Sequence, residues 1–234
     1  MLSLIDFHLT EIATCVLLVW AAIRGLRQWF SGPKIRGARR TQPLKKIASE
    51  LGLDFDAAPD HNHQHKFPQF GCFNRGETSF ARNTLRGTIQ LFGADREIVA
   101  GDYRAYDETT NDNFSYLILR MSRRTPSLLI RPTGLLSKLK RAVGRSGIQF
   151  ESAAFNRKFS VKSSEESFAR EVLHPGMVDF LLREKPRVID IADRALLITD
   201  GRRQWGASQL KAQVRFLSEF CERLPPELYR KLGV

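Results

Sequence analysis

Three features of this 234-residue chain predict an α+β fold with a largely antiparallel sheet. Apolar and polar residues alternate with period two in short runs from Thr84 to Ile198, helical stripes stand apart from those runs, and the chain closes on a long amphipathic helix. Strands that follow one another across short polar turns pair as antiparallel neighbours, whereas parallel pairing needs a long crossover at each step. About seven strands are expected, at residues 84–92, 97–105, 114–121, 127–131, 158–162, 187–191 and 195–199.

Taken in order, the chain begins with Ile12 to Ile23, an uncharged apolar run of twelve. Alone it is shorter than the roughly 20 residues of a membrane span. Extended toward Trp29 and Phe30, with Arg24 and Arg27 reaching back to the headgroups, it becomes a tilted hydrophobic helix over residues 1–30. Asp6 and Glu11 without any preceding Lys or Arg fit a cleavable signal peptide poorly, so a signal anchor is expected. The positive-inside rule then puts the following domain in the cytoplasm, as a single-pass protein of the inner membrane. The alternative is a buried or surface-lying amphipathic helix, because Ile12, Val16, Val19, Ile23, Leu26 and Phe30 also share one stripe. Residues 31–41 read as an extended basic linker, and a single α+β domain is expected over 42–234, opened by a short helix in which Leu44, Ile47, Ala48 and Leu51 share a side and Gly52 caps the end.

Residues 54–76 read as irregular and carry His61, His63 and His65. If this segment is extended, three imidazoles at alternate positions share a face, and with Cys72 or Asp60 they would make a zinc-like site; incidental histidines of a polar loop are the plainer reading. After the meander, Leu135, Leu136, Leu139 and Val143 oppose Lys138, Lys140 and Arg141 on a basic amphipathic helix. Ala192-Asp193-Arg194 reads as the turn of a hairpin. Leu210, Val214, Leu217, Cys221 and Leu224 then mark the closing helix, which Pro225 and Pro226 end. A seven-stranded sheet closed by such a helix resembles the pleckstrin-homology-like architecture, with the 133–143 and 164–183 helices as insertions.

The best-specified stretch runs from Phe155 to Leu182. Phe159 and Val161 alternate with polar neighbours, Ser163 and Glu166 have the spacing of a capping box, and Phe168, Ala169, Val172 and Leu173 make a helical stripe that His174-Pro175 stops. Met177, Val178, Leu181 and Leu182 start a second helix. Phe155, Asn156, Phe159, Val161, Ala169, Leu173, Pro175 and Met177 follow an FNxxFxV, alanine, LxP-M pattern. In this the chain resembles an uncharacterised bacterial family of small, N-terminally membrane-anchored proteins. Gly101 to Arg104 and Leu129 to Pro132 are similar as well. The resemblance implies architecture, since the matching positions are packing and capping residues.

Charge narrows the function classes. With 37 Lys and Arg against 25 Asp and Glu, the net charge is +12, which points to a polyanionic partner. Two windows, between Glu11 and Glu50 and between Asp112 and Glu151, each hold eight basic residues and no acid. Arg36, Arg39, Arg40, Arg123, Arg124, Lys138, Lys140 and Arg141 are accordingly the candidate contacts to anionic inner-leaflet lipid. Three cysteines without CxxC spacing predict neither a disulfide framework nor a zinc ribbon. No hydrolase or phosphate-loop signature accompanies them, so no catalytic residue and no cofactor is assigned, zinc at the histidine segment being the exception to test. The leading expectation is a membrane-anchored binding or scaffold protein, with lipid and another membrane protein as partners. The alternatives are a metal-binding protein or hydrolase that uses His61 to His65, and a nucleic-acid-binding protein, which the scarcity of aromatics in the basic windows disfavours.

Overall fold

The computed structural model describes residues 33–108, 111–134, 147–201 and 203–233. The expected anchor over residues 1–30 and the basic helix with Lys138, Lys140 and Arg141 lie outside the described residues. By internal contacts the chain divides into Met1–Pro43 and Leu44–Val234. Helix α1 (Pro33–Glu50) begins well before the expected Pro43 and takes up most of the stretch read as an extended linker. Pro43 sits inside it, where the ring removes one donor from the helical ladder. At its end Leu53 N–H reaches back to Ala48 O at 2.8 Å, and Gly52 (φ 68°) supplies the left-handed residue such a cap requires.

Six strands form one antiparallel sheet: β1 (Asp54–Asp56), β2 (Thr78–Leu91), β3 (Ala94–Tyr106), β4 (Asn111–Pro132), β5 (Phe159–Ser163) and β6 (Val188–Thr199). Strands β1 to β5 pair in order, and β6 pairs with β4. The α+β class and the antiparallel sheet are as predicted, with six strands among the described residues where about seven are expected. Ser122 to Pro126 is expected to separate two strands, and the Ala192-Asp193-Arg194 segment to fold a hairpin. Instead each lies inside one long strand. The two halves of β6 pair with β4 rather than with each other, Ile189 with Ile130 and Ile198 with Leu117. Both strands change register together between Arg120 and Leu128, and Asp193 takes a positive φ of 51°. A bulge of this kind bends a strand without ending it.

Helices cover one face of the sheet. They are α3 (Ala153–Lys158), α4 (Glu166–Val172), α5 (Pro175–Arg183), α6 (Ala207–Glu222) and α7 (Pro226–Leu232). Their buried Phe155, Val172, Met177, Leu181, Leu217, Phe220 and Cys221 meet Leu85, Ile98, Leu117, Leu128, Ile130, Ile189 and Ile198 of the sheet. The predicted stripes therefore face the core. The capping box does not form: Ser163 ends β5, and its hydroxyl donates to Ser127 O at 2.6 Å, while Glu166 pairs with Arg170 at 2.6 Å. Lys158 closes α5 instead, its ammonium 2.6 Å from Leu182 O and 3.1 Å from Glu184 O, where cations suit a helix C-terminus.

The opposite face is covered by the chain between β1 and β2, which includes a single helical turn, α2 (His63–Lys66). Phe67, Phe70 and Phe73 from this segment pack on Ala81, Val99, Tyr103, Phe114, Tyr116, Ile118 and Leu197. Asp60 N–H and C=O bond Ala81 at 2.7 and 3.0 Å, and the Tyr103 hydroxyl donates to Phe73 O at 2.5 Å. The segment read as an irregular polar loop is thus the second half of the core.

Candidate functional site

The histidine segment packs on one face of the sheet, and a cleft lies beside α4 and α5. At the first, the three histidines do not converge. His63 is 1% exposed, whereas His61 and His65 face solvent. The reason is local. Around a helical turn, positions two apart point to nearly opposite sides, so an alternate spacing that shares a face in a strand is divided in a helix. Among the described residues no group of three or more His, Cys, Asp or Glu side chains is placed to hold a metal ion. The described structure thus does not bring His61, His63 and His65 onto the shared face that the zinc-like reading requires.

His63 is caged by aromatic rings. Its ring centroid lies 4.6 Å from that of Tyr116, 4.7 Å from Phe73, 5.1 Å from Phe67 and 5.9 Å from Tyr103. Nδ1 is 3.5 Å from the Tyr116 hydroxyl, and Nε2 has no partner among the described residues. Burial is the main cause that pulls its pKa down to about 4. Lys66, Arg86 and Arg120 push in the same direction and Asp60 opposes them. The imidazole is therefore neutral near pH 7. Gly101 makes the arrangement fit, because a side chain there would meet the Tyr116 hydroxyl at 2.9 Å.

A buried polar knot lies at one end of the sheet. Asp102, 1% exposed, accepts from Asn83 Nδ2 at 3.0 Å and from Ser115 Oγ at 2.6 Å, and Ser115 Oγ in turn accepts from Trp205 N–H at 2.8 Å. Asn83 holds φ at 49°, beside the register change between Arg82 and Leu85. Every member named is satisfied by another, which is the pattern of a structural network.

The cleft has a volume of about 320 Å³ and is lined by Phe150, Glu151, Arg170, His174, Val178 and Asp179 among others. Each wall is fixed. The Asn156 amide accepts from Phe150 N–H at 3.0 Å and donates to Phe150 O at 2.6 Å. Arg170 is forked onto Glu166 and lies 5.5 Å over the Phe150 ring. His174 Nε2 is 2.9 Å from Arg223 O, a carbonyl that only accepts, so Nε2 carries the proton.

Of the anionic-surface candidates, Arg123 and Arg124 are exposed on the bulged middle of β4, and Arg124 Nε lies 3.3 Å from Asp193 Oδ1. Arg40 is half-buried, and Arg36 and Arg39 are described only as helical backbone. These positions are spread over separate elements. Missed from the sequence were the aromatic cage, for which Phe67, Phe70 and Phe73 at three-residue spacing were the available signal, and a half-buried group on β6. There burial pushes the Asp190 carboxyl up to about 6 against the opposing pull of Arg131, and Cys72, close enough to feel both, has its thiol pushed up to about 12 by burial.

The fold has a known counterpart. It is similar to the crystal structure of the mycobacterial trehalose monomycolate transport factor A, TtfA, at 16% sequence identity and a TM-score of 0.56, over 80% of this chain and 96% of that one. At this identity the likeness is one of fold. No family model and no curated protein sequence matches the chain. Among the described residues no helix is long and apolar enough to cross a membrane.

Proposed function

We propose that this chain is a membrane-associated binding or scaffold protein. In this reading residues 1–30 anchor it in the inner membrane, and the domain beyond residue 42 lies in the cytoplasm and meets anionic lipid through its basic surface. The observation that carries the reading is the fold shared with nearly the whole of TtfA, a protein named for a transport role rather than for a reaction. The sequence supports it with the apolar run from Ile12 to Ile23, followed by basic residues without acids as far as Glu50. Each Lys or Arg near an anionic leaflet contributes about 1 kcal/mol before screening, so the window between Glu11 and Glu50 strengthens an anchor of marginal length. Arg123 and Arg124 add a second contact, and another membrane protein is the natural further partner. The buried polar groups support binding over catalysis, because Asp102, Asn83 and Ser115 spend their hydrogen bonds on one another.

The test is fractionation of the full chain and of a chain lacking residues 1–40, with high-salt and then alkaline carbonate washes of the membranes. Retention of the full chain alone after both washes is expected. Release by salt would replace the anchor with a charge-held surface helix, and recovery in the cytosol would overturn the reading.

A further inference from the structure

A cleft lies between residues 150–152 and helices α4 and α5. Its chemistry is one-sided. The lining residues Phe150, Leu173, Pro175 and Val178 are apolar. Glu151 and Asp179 are exposed at its edge, and neither carboxylate has an ion pair or hydrogen bond among the described residues. Other acids of the chain, Asp60, Asp112, Asp193, Glu97 and Glu166, are engaged by arginine. The cation on the wall, Arg170, is already neutralised by Glu166. His174, also on the wall, spends its Nε2 proton on Arg223 O. Among the described residues the unpaired charged groups lining the cleft are therefore two carboxylates, beside an apolar floor.

We propose that this cleft binds a cationic segment of a partner protein, in which an apolar side chain lies next to a lysine or arginine. The apolar residue would occupy the floor and the ammonium or guanidinium would lie between Glu151 and Asp179. Charge complementarity chooses this occupant over an anionic ligand: phosphate or a lipid headgroup would meet two carboxylates, and like charges brought together cost affinity. The volume suits one or two side chains, so affinity comes from a short anchor. The inference goes beyond membrane anchoring and does not rest on it, since every residue involved belongs to the unit Leu44–Val234.

The probe is a capped Leu-Lys-Val-Arg tetrapeptide amide, titrated into the isotopically labelled full chain and followed by two-dimensional amide NMR. Saturable shifts are expected at residues 150–152 and 170–179. A Gly-Lys-Gly-Arg peptide should bind at least fivefold more weakly, and a Leu-Glu-Val-Glu peptide should produce no saturable shift. Glu151→Lys with Asp179→Lys is expected to weaken binding at least tenfold, and Glu151→Gln with Asp179→Asn to do so in part. The same spectra show that each variant keeps its fold. No saturable shift at the cleft, equal binding by the double charge reversal, or equal binding of the acidic peptide would each overturn the proposal. Membrane fractionation is untouched by any of these results, so failure here and failure of the anchoring reading are told apart.

Discussion

The two faces of the sheet are covered by different means. On one, helices α4 to α7 each bury two or more apolar residues, mostly recurring every three or four positions, and α3 adds Phe155. On the other, one segment between β1 and β2 supplies Phe67, Phe70 and Phe73, around a buried histidine whose Nε2 has no partner among the described residues. The helical face is stabilised by many interchangeable apolar groups. The loop face relies on a few large rings and on isolated hydrogen bonds, such as Tyr103 to Phe73. Equal burial thus conceals unequal redundancy, and the loop face should open first.

The sharpest test sets one large ring on each face against the other. Phe155→Ala on the helical face should cost about 3–5 kcal/mol of global stability, read from urea unfolding. Phe73→Ala should instead raise proteolysis within residues 57–77 well before global unfolding. If both variants merely lowered the same cooperative transition, the distinction between the faces would fail. Next comes acid. His63 carries its proton less readily when folded, at about 4 against 6.5 when exposed, so its contribution is complete above pH 6.5 and is lost as pH falls through 4. The loss is about 3 kcal/mol. It should vanish from the pH profile of His63→Leu, measured as the difference from the parent chain; parallel profiles would show that the cage does not govern acid lability.

Asp190 has the opposite sign, since burial raises its carboxyl to about 6. Stability should therefore decline as pH rises from about 4 to 6. Asp190→Asn should stabilise the chain at pH 7, by up to about 2–3 kcal/mol, and leave it unchanged at pH 3.5. Melting temperatures at the two pH values check this. The smallest effect is expected at the bulge, where Arg124 is exposed: Arg124→Ala should change stability by less than about 1 kcal/mol.

Regular periodicity made the helical face legible in the sequence. Val172, Leu173, Met177, Leu181, Leu210 and Leu217 lie buried where their spacing placed them. The loop face was hidden because no period governs it: three phenylalanines in a segment rich in proline, glycine and histidine signal burial only once a sheet is there to receive them. The histidines were misplaced because alternate spacing shares a face in a strand and divides in a helical turn. β4 and β6 were cut in two because Ser122, Arg123 and Arg124, like Asp193 and Arg194, are polar and exposed, and a solvated bulge has the composition of a turn. The cleft was invisible for a further reason. Its walls come from Phe150 through Asp179 and are steadied by Asn156 and by the carbonyl of Arg223, and only the folded chain brings these together.

The length of β4 has a consequence for synthesis. Its early half needs β3, just before it, but the other edge of that half waits for residues near Thr199, which pair with Tyr116. At about 5–20 residues per second, a ribosome takes roughly 4–16 s to cover that interval. Throughout it, an apolar strand edge is exposed on the nascent chain. Such distant pairings fold slowly and are open to aggregation until closed, so production of this protein should depend on nascent-chain chaperones and improve when translation between β4 and β6 is fast.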